Sequence, residues 1–165
     1  MSGRDYIQSL LIPIYNDYMI LPNSAVAEIV FYNEIELIEK APSWLLGLLH
    51  WRNLSIPVLS IEAAIQQGSP SPITHKQKFA IVKALGNDSD LRFFAFRTEG
   101  IPNIVRIDKA TISPIPEEIA PNPFVIKHVY VNETTAIIPN LDFVEQEIKR
   151  ALKETAALQQ SSIFS

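Results

Sequence analysis

Apolar positions in the first half of the chain come in short runs separated by turn-forming residues. "YIQSLLIPI" (6–14) alternates imperfectly, "NDY" supplies a turn and "MIL" resumes, a pattern that predicts a hairpin. "PNSAVAEIV" offers Pro22, Asn23 and Ser24 as a helix start, but only about one or two turns fit before the β-branched and aromatic "EIVFY". The brief turn "APSWLLG" follows, with Trp44 expected to plug the interior. Two runs, "LLGLLHWR" and "LSIPVLSI", then read as neighbouring strands closed by the short helical piece "EAAIQQ". In the first, a period of two puts Leu49 and Trp51 on one face and Leu48, His50 and Arg52 on the other. In the second, Pro57 removes a ladder donor, which predicts an edge strand or a bulge there.

"GSPSPITHKQ" (68–77) is the clearest internal break, since its glycine, serines and prolines resist both helix and central strand, and it predicts a loop between lobes. Beyond it, "KFAIVKAL" and "LRFFAFRT" flank "GNDSD", a hairpin signal. "NIVRIDKATIS" alternates, "PIPEEIAPNP" is a surface connection, and "FVIKHVYV" with "TTAIIP" makes a hairpin across "NET". The one long helix is expected at about 141–158. Leu141, Val144, Ile148, Ala151 and Leu152 form its apolar stripe and Asn140 its cap. The tail "QQSSIFS" is expected to be loose. Some ten short strands without interleaved helices point to barrels or a sandwich, not a parallel sheet.

Composition narrows the classes. The 165 residues suit one domain or two small lobes sharing a core, and a 47% hydrophobic content supports a packed interior. A net charge of −4 opposes a nucleic-acid groove or an anionic membrane as the main target, since both attract basic surfaces. No cysteine is present, which removes disulfides, thiolate zinc sites and thiol nucleophiles. Pro13, Asn16 and Asp17 interrupt the N-terminal apolar run, and no window approaches the ~20 apolar residues of a membrane span. The expectation is a cytoplasmic protein with no direct membrane insertion.

Candidate chemistry is sparse. The five glycines are not clustered, so no phosphate loop is present. His50, His75 and His128 lack metal-ligand spacing, and the pairs Asp88/Asp90 and Glu117/Glu118 sit where acidic residues are ordinary turn and surface choices. No serine sits in a nucleophile elbow. No catalytic residue, metal ligand or cofactor is therefore expected. Phe93, Phe94 and Phe96 between Arg92 and Arg97 could mimic a base-stacking platform, but in an acidic chain they read better as core. Trp51 and Arg52 are residue types enriched at protein contacts. The alternative is that Trp51 is buried and Arg52 only closes the hairpin.

"YMILPNSAVAEIV" followed by "ELIEKAPSWLLGLLHWRNLSIPVLSIEAAI" resembles the CheW family, the scaffold proteins of bacterial chemosensory arrays. Val26, Glu28 and Ile29 stand where that family has a short helix ending in Val-x-Glu-Ile. Pro42 and Trp44 match its proline before an aromatic or apolar turn. Gly47 matches the glycine opening a strand that ends in Leu-Arg-Gly, here "WRN". "IPVLSI" matches Ile/Val-Pro-Val-x-Asp-Leu. The resemblance is strong over 18–65 and looser afterwards, through the hairpin at 78–98 and the closing "AIIPNLDFVEQEI".

The resemblance implies one CheW-like domain over 1–165. It is mainly β: two intertwined five-stranded β-barrel lobes, at about 18–66 and 78–140, with short helices. The first strand and the C-terminal helix pack on the body. It also implies a non-catalytic adaptor without cofactor, binding the regulatory domain of a histidine kinase and the signalling tip of chemoreceptors. Kinase contact falls at Val26, Glu28 and Gly47, and receptor contact at Arg52, Asn53 and His50 in the groove between lobes. A ligand-binding sensor on the same barrel fold, with an apolar cavity between its lobes, is the alternative. Three departures stand out: Asn53 replaces a glycine, Ser60 replaces an aspartate, and "FFAFRTEG" replaces a valine-rich strand ending in aspartate. They suit a divergent member, such as an accessory adaptor of a pilus-based twitching system.

Overall fold

Ile7–Ile14 (β1) and Asp17–Pro22 (β2) form the first hairpin, turned at Asn16, whose φ of 62° is one that asparagine tolerates. The computed structural model describes residues 5–86, 90–116 and 119–164, with side chains as far as Leu158; Asp88, Glu117 and Glu118 lie outside the described residues. The helix expected after Pro22 shrinks to the single 3₁₀ turn Asn23–Ala25. Val26–Phe31 (β3) follows at once, so Val26 and Glu28 sit on a strand. Their β-branched neighbours Ile29 and Val30 take part in a ladder with Lys78–Lys83 (β6), an option a helix of this length cannot match.

Leu45–Trp51 (β4) and Leu54–Leu59 (β5) make the second hairpin, followed by Ile61–Gln66 (α1). Phe93–Thr98 (β7), Asn103–Ile107 (β8), Ile112–Pro114 (β9), Val125–Val131 (β10) and Thr134–Pro139 (β11) complete the strands, and Leu141–Phe164 (α2) closes the chain. The additional strand arises within "NIVRIDKATIS". There the Asp108 carboxylate accepts from the amides of Ala110 (2.8 Å) and Thr111 (3.0 Å) and cuts the run in two.

The strands form a six-stranded sheet, β8-β1-β2-β11-β10-β9, and a five-stranded sheet, β3-β6-β7-β5-β4. The expected mainly β architecture of two lobes with one C-terminal helix is present as these two sheets, one of six strands and one of five. The first two strands join the last four, while everything from β3 to β7 belongs to the other sheet. The 68–77 loop leaves the five-stranded sheet and returns to it. The reason is Phe79 and Ile81, which fill the same interior as Leu49 and Trp51 and so require β6 beside β3 and β7.

Each sheet has an interior of its own, and a third cluster lies between them. Leu11, Ile20, Val129 and Val131 pack inside the six-stranded sheet. Leu10, Ile12, Met19, Ala80, Phe94 and Phe96 point the other way, into the shared core, with Val144 and Ile148 of α2. β1, β6 and β7 are thus buried on both faces, which is why their sequences read as apolar runs instead of clean alternation. Phe94 and Phe96 are core residues, and Trp44 packs edge-on against Phe124 at 5.9 Å.

Pro57 lies on an interior strand of the sheet, contrary to the expected edge position, and the bulge is on its partner, between Leu45 and Gly47. The hairpin closes at Trp51↔Leu54, so alternation makes Leu48↔Pro57 a non-hydrogen-bonded pair and turns the proline nitrogen away from β4. On that other side the parallel ladder to β7 covers only Val58 and Leu59. The missing donor is never needed.

α2 carries the expected stripe inward and extends to Phe164, through residues 159–164 of the segment expected to be loose. Asn140 caps it, its Oδ1 accepting from the Phe143 amide at 3.1 Å. Buried Glu145 adds a tie of a different kind, accepting from the amides of Leu85 (2.7 Å) and Gly86 (2.9 Å). Ser60, in place of aspartate, keeps that residue's capping chemistry: its Oγ accepts from the Ala63 amide at 3.2 Å to start α1.

Candidate functional site

The β4–β5 hairpin turns on two residues, Arg52 (φ 48°) and Asn53 (φ 62°), both left-handed as a type I′ turn requires. Asparagine is at home there; arginine is not, since a Cβ in this region crowds the following carbonyl. The side chain that accepts this strain projects outward. Its guanidinium carbon lies 4.5 Å from the centroid of the Trp51 ring, and its Nη2 donates to Glu28 Oε1 at 3.2 Å.

Glu28 comes from β3, and its second oxygen accepts from Trp51 Nε1 at 2.9 Å. β3 and β4 are the two outer strands of their sheet. One carboxylate therefore bridges the seam with side-chain bonds where no ladder pairs these two strands. Trp51 is buried and packs edge-on against Phe93 at 4.9 Å, so the aromatic floor under Arg52 is fixed on both sides. The guanidinium stays open to solvent.

The remaining expected site residues fall around this cluster in different ways. His50 and Asn53 are exposed at the same hairpin tip. His50 Nδ1 lies 3.2 Å from Ser55 Oγ, and its Nε2 lies 3.9 Å from Glu36 Oε2. Val26 is half-buried and packs toward the shared core. Gly47 is buried. At its φ of 156°, a Cβ would stand 2.4 Å from the carbonyl oxygen of Glu36, whose backbone exchanges two hydrogen bonds with Leu48. Sequence reasoning set Glu28 on a kinase face and Arg52 on a receptor face; the fold joins them directly.

A second polar constellation escaped sequence reading. Arg97 of β7 is 4% exposed, and its Nη2 donates to Ser71 O (2.6 Å) and Ser71 Oγ (3.1 Å). The Ser71 hydroxyl donates in turn to Glu99 Oε1 at 2.5 Å. Nearby Glu62 is 6% exposed, and neither carboxylate oxygen has a partner in hydrogen-bond geometry among the described residues. Burial raises its carboxyl above the usual carboxylate range; its own backbone amide opposes this, the Glu99 charge adds to it, and Arg97 and the Ser60 hydroxyl oppose it further. The one sequence signal was a charge inside "FFAFRT", a run otherwise apolar on both faces.

Among the described residues no three histidine, aspartate or glutamate side chains cluster as metal ligands, and no helix is long and apolar enough to cross a membrane. A family model described as the CheW-like domain matches residues 8–148. No curated protein matches the chain at a significant level. Among solved structures, the chain is similar to the scaffolding protein TtCheW from Thermoanaerobacter tengcongensis. They share 20% sequence identity over 86% of this chain and 88% of the other, with a TM-score of 0.70.

Proposed function

Since the chain belongs to the CheW-like domain family, we propose that it is a non-catalytic signal-transduction adaptor coupling a chemotaxis-type histidine kinase to chemoreceptors or other array components. The observation that carries this reading is the Glu28–Trp51–Arg52 cluster. A guanidinium held over a buried indole and hooked to a carboxylate has few conformations left to lose on binding. It still offers unused donors in a planar fork, suited to carboxylates or helix-end carbonyls, which a lysine ammonium could not copy. Tryptophan and arginine together are also the residue types that dominate contact energies.

In this reading the exposed hairpin tip, with Arg52, Asn53 and His50, meets the receptor. The β3 side meets the kinase regulatory domain, with Glu28 and Val26 on the strand and Gly47 supporting the neighbouring backbone. Phe31, 80% exposed at the end of β3, supplies apolar contact area on that side. The two contacts lie side by side, because Glu28 belongs to both.

The test is calorimetric titration of the full chain with the kinase regulatory domain and with a soluble receptor-tip fragment, both from the same organism. Micromolar or tighter binding to both is expected. Arg52→Ala should weaken the receptor fragment and Phe31→Glu the kinase domain. A well-folded protein that binds neither partner rules the adaptor reading out.

A further inference from the structure

The segment 32–37 and the loop 70–73 enclose a groove of about 580 Å³ on the five-stranded sheet, sharing no residue with the Glu28–Trp51–Arg52 cluster. Its walls are apolar, built chiefly by Tyr32, Ile35, Leu37, Leu46 and Ile73, and Arg97 is its one cationic lining residue. Tyr32 is held as a rigid wall by stacking on Phe79 at 5.5 Å. Leu37 and Ile73, 78% and 65% exposed, stand at its rim. A concave apolar site of some hundreds of Å³ with few convergent polar groups is the usual form of a small-molecule site.

Arg97 determines the chemistry. Among the described residues its buried Nε has no hydrogen-bond partner and no carboxylate lies within ion-pair distance of its guanidinium. Glu99 is linked to it through the Ser71 hydroxyl, which accepts from Arg97 and donates to Glu99, and the nearby Glu62 carboxyl interacts with its charge without a direct bond. A buried cation with an orphaned donor is stabilised strongly by an acceptor anion, and guanidinium–carboxylate bonds are the short, charge-assisted kind. Glu34 also lines the groove and disfavours a second negative charge there.

We propose that this groove binds a small apolar monocarboxylate, its carboxylate on Arg97 and its hydrocarbon part against Tyr32, Leu46 and the rim leucine and isoleucine. The ligand would close the groove by covering Leu37 and Ile73. The site is independent of the adaptor reading, and each stands or falls alone.

The experiment is an amide-shift NMR titration of the full chain with sodium octanoate, set against 1-octanol as the uncharged counterpart. Saturable shifts at Tyr32, Ser71 and Ile73 are expected, with octanoate bound about tenfold more tightly than octanol, equivalent to ~1.4 kcal/mol. Arg97→Met should erase that preference. Because a buried strand position can compromise folding, Leu37→Glu serves as the second variant. It lies at the exposed rim, should leave the fold intact, and should weaken octanoate by about tenfold or more. Equal binding of octanoate and octanol, shifts centred elsewhere, no saturation, or a folded Leu37→Glu that binds octanoate unchanged would each overturn the proposal.

Discussion

Glu28 and Arg52 are 24 residues apart in sequence and 3.2 Å apart in the fold, with the Trp51 indole donating to the same carboxylate. The contact joins the outer strands of one sheet by side chains alone. It also makes one residue serve two ends: Glu28 satisfies a buried donor while it orients an exposed cation.

The buried half of this arrangement carries most of the stability. Glu28→Ala leaves Trp51 Nε1 without its acceptor in a buried site, a loss of about 1–3 kcal/mol. Glu28→Gln retains a neutral acceptor for the indole and should lose less than half as much. Urea unfolding followed by tryptophan fluorescence reads both. Equal losses for the two variants would mean the charge on Arg52 matters more than the indole bond.

Arg52 itself behaves differently. An exposed ion pair is worth roughly 0–1 kcal/mol, and a non-glycine residue held at φ 48° costs a similar amount. Arg52→Gly removes both, so its unfolding free energy should stay within about 1 kcal/mol of the parent. Receptor-fragment affinity should nevertheless fall by more than tenfold in the calorimetric assay. A large loss of stability with unchanged binding would reduce Arg52 to a hairpin closure.

Much of this was legible in the sequence, and what escaped it did so for definable reasons. The period of two in "LLGLLHW" put Leu49 and Trp51 on one face and His50 on the other, and the burial follows that division. The α2 stripe and its Asn140 cap follow from local periodicity and capping chemistry, both confined to neighbouring residues. Sheet membership is decided at long range and leaves no local signature. β1 and β8 pair across most of the chain, and no local signal states that Leu11↔Asn103 will be neighbours. Glu28 meeting Arg52, Ser71 meeting Arg97 and Glu145 meeting the Leu85 amide are likewise contacts between distant segments. Each involves a charged residue whose own sequence neighbourhood looks like ordinary surface or strand.

Gly47 is read as a packing requirement that supports the hairpin. A methyl at this position would overlap the Glu36 carbonyl at 2.4 Å, and the paired backbone of Glu36 and Leu48 leaves neither side free to retreat. Gly47→Ala should therefore cost well over ~1 kcal/mol and lower the melting midpoint by several degrees. Kinase binding would be lost only as far as folding is. A stable Gly47→Ala protein that no longer binds the kinase domain would instead put the glycine in the contact itself.

Glu145 ties α2 to the turn after β6, its buried carboxylate accepting hydrogen bonds from two backbone amides. Glu145→Ala leaves the Leu85 and Gly86 amides unpaired and should cost about 2–4 kcal/mol by chemical denaturation. Glu145→Gln, able to accept only one of the two, should fall between. Hydrogen exchange at those two amides should rise with each step.

Glu62 should give the pH dependence its sign. Burial raises its folded-state pKa above the unfolded value, so the folded protein holds the proton more tightly. Its contribution is fully favourable below the ordinary carboxylate range and is lost as pH climbs through the raised folded value. Near neutrality the ionised group opposes folding. The groups facing it are its own backbone amide, Arg97 and the Ser60 hydroxyl, which relieve part of the penalty, and Glu99, which adds to it, with His128 and Asp17 across a small cleft. Glu62→Gln should consequently be more stable than the parent at pH 8, and its advantage should shrink as the pH falls toward 4. The measurement is the difference between variant and parent unfolding free energies across that range, which cancels the titration of all other carboxylates. A difference independent of pH would show that Glu62 keeps an ordinary pKa in the folded protein, with water or Arg97 supplying the partner its oxygens lack.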